Sequence, residues 1–155
     1  MKISLKPLSQ QTVVITGATS GIGLATAYAA AKRGANLVLA ARNEELLVRT
    51  VNELEHKGTN AIFVVTDVSK REDIERLAQT AIDHFGGFDT WVNNAGQGLW
   101  GRLEHVTDDD HRRLFDINFW GVVYGSTTAL RHLKQRGGAL INLGSVASDF
   151  AFLYI

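Results

Sequence analysis

The stretch from Thr12 to Arg33, TVVITGATSGIGLATAYAAAKR, leaves a chain few ways to fold. Val13, Val14 and Ile15 between two threonines favour an extended strand. Glycines at 17, 21 and 23 break that strand. An alanine-rich segment then runs helically to Lys32 and Arg33, where Gly34 stops it. Strand, glycine turn and helix in this order make a cradle for an anion. The first amides of a helix lack partners and carry a partial positive charge, and glycines let the ligand approach the backbone. Alanines at 25, 27, 29, 30 and 31 would let the helix lie close on a sheet. The spacing is G-x-x-x-G-x-G rather than the G-x-G-x-x-G dinucleotide fingerprint, and taken alone it equally suits an ordinary strand–turn–helix whose glycines serve the turn.

A chain of 155 residues is one domain's worth, long enough to bury a core. Its 16 basic and 16 acidic residues cancel, which gives no pull toward nucleic acid or an anionic membrane. There is no cysteine, which excludes disulfides and thiolate metal sites and fits a reducing, cytoplasmic setting. The opening MKISLKPLSQQ has no apolar run of signal-peptide type, and no stretch reaches the roughly 18 apolar residues of a membrane span. Histidines 56, 84, 105, 111 and 132 show no metal-ligand spacing and read as surface or helix-face residues.

Further along, strand-type and helix-type segments alternate. Asn36 to Ala41 is a second strand, and Asn43 can cap the helix that follows, with Glu44 and Glu45 in its positive first turn. Leu47, Val51 and Leu54 share one stripe of that helix, which Gly58 ends. Ala61 to Thr66 is a third strand. Ser69 and Glu72 read as an S-x-x-E capping box ahead of Ile74, Leu77, Ala78, Ala81, Ile82 and Phe85, the buried face of a helix closed by Gly86 and Gly87. Asp89 to Asn93 is a fourth strand. After a loop, Thr107 caps a long helix containing Leu114, Phe115, Phe119, Val122, Val123, Leu130 and Leu133, which ends at Gly137 and Gly138. Ala139 to Leu143 is a fifth strand. Four strand–helix repeats and a final strand specify a parallel sheet with helices on both faces, a doubly wound α/β domain of the Rossmann type. No linker, repeat or low-complexity segment divides residues 1–155.

In such folds ligands bind beyond the carboxyl ends of the strands. The first end is the glycine loop. At the second, an NAD site normally sets an acid to hold the ribose hydroxyls; here Ala40 and Ala41 precede Arg42, whose guanidinium suits a 2′-phosphate or is simply solvated at a helix start. At the third, Asp67 accepts from an adenine amino group or ties down its own turn. The fourth is Asn93-Asn94-Ala95-Gly96, small enough for close approach by a cofactor. The fifth, Gly144-Ser145-Val146-Ala147-Ser148, presents a hydroxyl where a substrate would lie.

Together, TGATSGIG at 16–23, Asp67-Val68, Asn93-Asn94-Ala95-Gly96, Asn118 and Gly144-Ser145 resemble the short-chain dehydrogenases/reductases, collinearly over residues 11–148. The resemblance implies an NAD(P)-dependent oxidoreductase acting on CH–OH groups. It makes Gly17, Gly21 and Gly23 the pyrophosphate loop, with Thr19, Ser20 and Ile22 beside the cofactor and Arg42 on the 2′-phosphate of NADP. Asp67 and Val68 would border the adenine, and Asn93, Ala95 and Gly96 the ribose region. Asn118 would hold a water of a proton relay, and Ser145 would donate to the substrate oxygen. The expected cofactor is therefore NADP rather than NAD, although many NADP-dependent relatives carry a second basic residue where this chain has Ser20.

The family's Y-x-x-x-K, whose tyrosine transfers the proton and whose lysine lowers the tyrosine pKa, does not follow Ser145 before Ile155. Tyr154 lies too close and has no lysine partner, so no catalytic role falls to it. The chain thus reads as a C-terminally truncated, cofactor-binding part, with the later strands missing and an apolar end (Phe150 to Ile155) suited to burial. It is expected to be inactive alone. The small-molecule alcohol or carbonyl substrate belongs to the longer form, and a homo-oligomer built partly on the long helix is the family habit. Trp100, in the loop Gln97 to Arg102, could touch an apolar substrate or pack at a rim. The other reading, of a different class, is a non-catalytic nucleotide-binding or interaction module whose fifth strand pairs with a partner.

Overall fold

The computed structural model describes residues 5–99 and 101–145. Trp100, Tyr154 and the other residues of 146–155 lie outside the described residues. Five parallel strands form one sheet in the order β3-β2-β1-β4-β5: β1 Thr12–Thr16, β2 Asn36–Ala41, β3 Ala61–Val65, β4 Thr90–Asn93 and β5 Ala139–Asn142. Between them run helices α1 Gly21–Ala31, α2 Glu44–Glu55, α3 Arg71–Phe85, α4 Asp108–Phe115 and α5 Gly121–Arg136. This is the doubly wound α/β architecture that the strand–helix alternation predicts.

β1, β2 and β4 are buried along nearly their whole length because both their faces are covered. Successive side chains point to opposite faces, so Val13, Ile15, Leu37 and Leu39 meet Ala27, Ala30, Leu47, Val51 and Leu54 on one side. On the other side Val14, Val38 and Ala40 join Ile74, Leu77, Ala78, Trp91, Ala129 and Leu133. α1 approaches the sheet through Gly23, Ala27 and Ala30 only; Ala25 and Ala29 face solvent and Ala31 is half-buried. The alanine run is thus partly surface, as the 3.6-residue period requires.

Two local expectations change. Ser69 and Glu72 form no capping box: α3 begins at Arg71 after an uncapped Lys70, and the Ser69 hydroxyl donates instead to Asp67 Oδ1 (2.7 Å). Asp73 reaches back in place of Glu72, its Oδ2 accepting from the Asp67 amide (2.8 Å). His132 is not a plain surface residue. It lies half-buried on α5 against the Phe88 ring (4.4 Å between centroids) and its Nε2 accepts from the Phe88 amide. Burial, then the nearby Arg136, holds this imidazole below its ordinary value.

Thr107 does cap the long helix, in a full capping box with Asp110. α4 passes into α5 through a π turn, Asp116–Trp120, with helical dihedrals at both junctions. Ile117, Ala129 and Leu133 go to the core, whereas Phe115, Phe119, Trp120 and Leu130 are exposed. Among the described residues, no helix is long and apolar enough to cross a membrane.

α5 crosses β4 closely at Gly125. A Cβ there would run into Asn93 Oδ1 and lie 3.0 Å from Trp91 Nε1. Alanine normally stabilises a helix interior by about 1 kcal/mol relative to glycine. Overpacking of a tight core costs about 1–3 kcal/mol, and here it should win. Gly125→Ala is therefore expected to lower the urea midpoint, with Ala29→Ser on exposed α1 as a near-neutral control. A stabilised Gly125→Ala would contradict this packing.

Candidate functional site

The sheet order reverses direction between β1 and β4, and the loops that leave these two strands touch there. Three glycines serve this contact in different ways. Gly17 takes φ +66°, and a Cβ on it would come within 2.8 Å of Ala95 Cα and 2.9 Å of Asn94 Nδ2. A Cβ on Gly23 would collide with the Gly17 carbonyl and the Asn94 amide. Gly21, at φ +52°, faces open space. The N-terminus of α1 is bare: Ser20 is extended with no side-chain cap, and the first turn has no acid. By contrast α2, α3 and α4 each carry two or three acids in their first turns. Among the described residues, no side chain caps the orphan amides or meets the partial positive charge of α1. Ser20, Gly21 and Ile22 are exposed, and Thr19 is half-buried beside them. Such a terminus can hold an anion.

A buried hydrogen-bond lock sets the loop. Thr16 Oγ1 donates to the Val92 carbonyl and accepts from the amides of Asn94 (3.0 Å) and Ala95 (3.1 Å). Asn94 Nδ2 donates to the carbonyls of Thr16 (2.8 Å) and Gly17 (3.1 Å). Asn93, one residue earlier, turns the other way. Its Oδ1 accepts from Trp91 Nε1 (2.8 Å), and its Nδ2 donates to Ser126 Oγ and Asn142 Oδ1. The buried Asn93 amide therefore knits β4 to α5 and β5 and does not line the open strand ends. Ala95 and Gly96 do lie at that edge.

Beside the loop, the ends of β2, β3 and β4 and the start of the long helix enclose a cleft of about 350 Å³, lined by Arg42, Thr66, Asp67, Val68, Gly96, Gln97, Arg113 and Ile117. Arg42 is exposed and makes no hydrogen bond or ion pair among the described residues. Ala40 and Ala41 precede it, so no carboxylate occupies the end of β2. Asp67 is tied down: Oδ1 accepts from the Ser69 amide (3.1 Å) and hydroxyl, and Oδ2 pairs with Arg113 Nη2 (3.0 Å). Burial alone would raise the Asp67 pKa; the bonds from Ser69 and Arg113 outweigh it and leave the carboxyl below its ordinary value. Val68 is buried under the start of α5, where a Cβ on Gly121 would lie 2.9 Å from Val68 Cγ2.

Asn118 sits in the π turn, a distortion often found at functional sites. Its side chain is committed to the loop after β4: Oδ1 accepts from the Gln97 amide (2.9 Å) and Nδ2 donates to the Gln97 carbonyl (2.8 Å). Ser145 is exposed just beyond β5, at the same edge of the sheet. Sequence reading missed Arg113, which follows an acidic first turn and looks like its solvated counter-charge. Its contact with Asp67 spans 46 positions, and no local pattern signals it.

The family model described as short chain dehydrogenase matches residues 11–154. A relative named uncharacterized oxidoreductase YxnA, from Bacillus subtilis (strain 168), is 55% identical over 150 residues, which is 96% of this chain and 42% of the relative. The 11-beta-hydroxysteroid dehydrogenase A of Sesamum indicum is 44% identical over 140 residues, 89% of this chain and 40% of its own. Among solved structures, a short chain dehydrogenase/reductase from Burkholderia phymatum in complex with NAD superposes with a TM-score of 0.91 at 36% identity, covering 95% of this chain and 53% of that one. An alcohol dehydrogenase from Thermococcus sibiricus complexed with 5-hydroxy-NADP gives 0.88 at 34%, covering 93% and 62%. The chain thus spans about two fifths of the length of the two curated relatives and somewhat over half of the two structures.

The lowered Asp67 pKa has a signed consequence. A carboxyl depressed in the folded state contributes stability above its unfolded value, about 3.9, and loses it as pH falls through the folded value. Asp67→Asn should therefore be less stable than the parent near pH 7, and the gap should close as pH drops from about 5 toward 2. Urea denaturation across that range checks it; a gap independent of pH would contradict the Asp67–Arg113 pair.

Proposed function

The chain belongs to the short-chain dehydrogenase family, and from that premise we propose that it is the dinucleotide-binding part of an oxidoreductase moving a hydride between NADP(H) and an alcohol–carbonyl pair. The observation that carries the proposal is the bare α1 terminus behind Gly21, fixed by the Thr16–Asn94 lock. A diphosphate fits there because Ser20, Gly21 and Ile22 are exposed and, among the described residues, no side chain caps the first turn of α1. Gly17 and Gly23 hold the loop against β4, and Thr19 and Ser20 flank it.

Arg42, without an ion pair or hydrogen bond among the described residues and with no acid on the strand before it, supports NADP over NAD. Asp67 and Val68 border the adenine side through the cleft wall they form, and Ala95 and Gly96 border the ribose side. Asn93 contributes there by holding the strand end in place, since its amide is spent on Trp91, Ser126 and Asn142. When bound, the nicotinamide supplies or accepts the hydride. Ser145 would donate to the oxygen of the alcohol or carbonyl, the role the family resemblance implies for it. Asn118, its side chain bonded twice to Gln97, keeps a second lone pair on Oδ1 and a second N–H on Nδ2 for a relay water.

The two curated relatives are matched over about two fifths of their length, and turnover is proposed for a protein of that full length. Within these 155 residues no Y-x-x-x-K follows Ser145, so binding without turnover is expected here. Steady reduction of any ketone or aldehyde by NADPH on this chain would contradict that assignment of the proton donor.

Calorimetric titration tests the cofactor reading. NADPH should bind more tightly than NADH. Arg42→Ser should weaken NADPH about 10- to 100-fold, the worth of a charge-assisted contact, and leave NADH nearly unchanged. Gly23→Val should abolish both. Equal affinities that ignore Arg42 would overturn the NADP assignment, and no binding of either nucleotide would overturn the reading as a whole.

A further inference from the structure

The cleft wall holds two guanidiniums and one carboxylate: Arg42, Arg113 and Asp67. Asp67 is the only acid among the described residues that line it. Arg113 reaches it from the long helix with both terminal nitrogens engaged, Nη2 on Asp67 Oδ2 (3.0 Å) and Nη1 on Ser69 Oγ (3.0 Å). That hydroxyl is itself bonded to Asp67 Oδ1, so the three side chains close a ring around the carboxylate. The pair is partly shielded, with side-chain exposures of 39% for Arg113 and 20% for Asp67. The other nearby acid, Asp73, is occupied by Arg76 (2.9 Å) and the Asp67 amide. With Asp67 neutralised in place, the charge the cleft presents is that of Arg42.

We propose that Arg113 is a specificity-determining residue for the dinucleotide: by cancelling Asp67 it leaves the cleft net cationic, and so able to accept a ribose 2′-phosphate. The inference rests on the cofactor reading above and adds to it a residue from a different helix. Without Arg113 the cleft would carry one exposed carboxylate against one guanidinium, and a phosphate dianion would meet an uncompensated like charge. A cleft of this volume, treated as a sphere, is about 9 Å across, within one Debye length at moderate salt. Coulomb's law at near-aqueous dielectric then puts the penalty on a dianion at roughly three- to tenfold in affinity. NADH, which has no phosphate at that position, escapes it.

The test is the ratio of NADPH to NADH affinity, measured by fluorescence titration on the chain and its variants. Arg113→Met keeps the apolar stem and removes the charge; it should lower the ratio roughly three- to tenfold, less at high salt. Adding Asp67→Asn to it should restore the ratio, and Arg113→Lys should hold it near the parent. If Arg113→Met does not fold, Asp67→Asn alone supplies the complementary reading, a ratio at or above that of the parent. A ratio indifferent to Arg113→Met, an equal loss of both nucleotides, or no rescue by the double variant would each overturn the proposal. A parent that binds neither nucleotide removes the cofactor reading and this inference with it. Independently of any ligand, NMR titration of the Asp67 carboxyl should move to higher pH in Arg113→Met, and an unmoved midpoint would show that the pair is not formed.

Discussion

One hydroxyl carries the site. Thr16 ends the central strand almost fully buried, and its oxygen joins the Val92 carbonyl to the amides of Asn94 and Ala95. The Asn94 amide returns the contact through two carbonyls, one of them that of Gly17. A buried polar group left without its partner costs about 1–3 kcal/mol, so this set of bonds is strongly biased to stay whole. Its effect is to weld the loop after β1 to the loop after β4 at the point where the sheet reverses. Gly17 and Gly23 follow from it, because the approach leaves no room for a Cβ. The open α1 terminus follows in turn, since the loop is held from beneath and needs no cap from above.

The rest of the architecture brings distant residues to that weld. Parallel strands all point their carboxyl ends the same way, so the glycine loop, Arg42, Asp67, Ala95 and Ser145 share one edge although each lies on a different strand end. The long helix completes the arrangement from the side. Its first part delivers Arg113 to Asp67, and its π turn delivers Asn118 to Gln97. The same helix leaves Phe115, Phe119 and Trp120 outside the core while Ile117 enters it. Charge is handled in the same spirit: acids sit at the starts of three helices, where they satisfy the dipole, and are absent from α1, where a ligand's phosphate can take their place.

Much of this is legible in the residues, and the division between what is and what is not has physical causes. Strand–helix alternation, the Asn43 and Thr107 caps and the Leu47–Val51–Leu54 stripe are local patterns, and the structure has them where the pattern puts them. The Ser69–Glu72 box matches a local pattern too, but a carboxylate two residues upstream competes for the serine and wins. The alanines of α1 could not be sorted by composition alone, because periodicity turns two of them to solvent. Asn93 and Asn94 look interchangeable in sequence; the pleat sends one amide into the α5 side of the sheet and the other into the glycine loop. Arg113 was invisible for a different reason. An arginine behind three aspartates is locally satisfied, and only tertiary packing brings it to Asp67.

On this reading an anionic dinucleotide seats on backbone amides between β1 and α1. The most direct measurement is amide NMR on the isotope-labelled chain during titration with NADPH. Saturable shifts should concentrate on Gly17, Ser20, Gly21, Ile22 and Gly23, with smaller ones at Arg42 and Gly96 and none at His132 on α5. Shifts that avoid the glycine loop, or a titration that moves no amide there at saturating nucleotide, would contradict it.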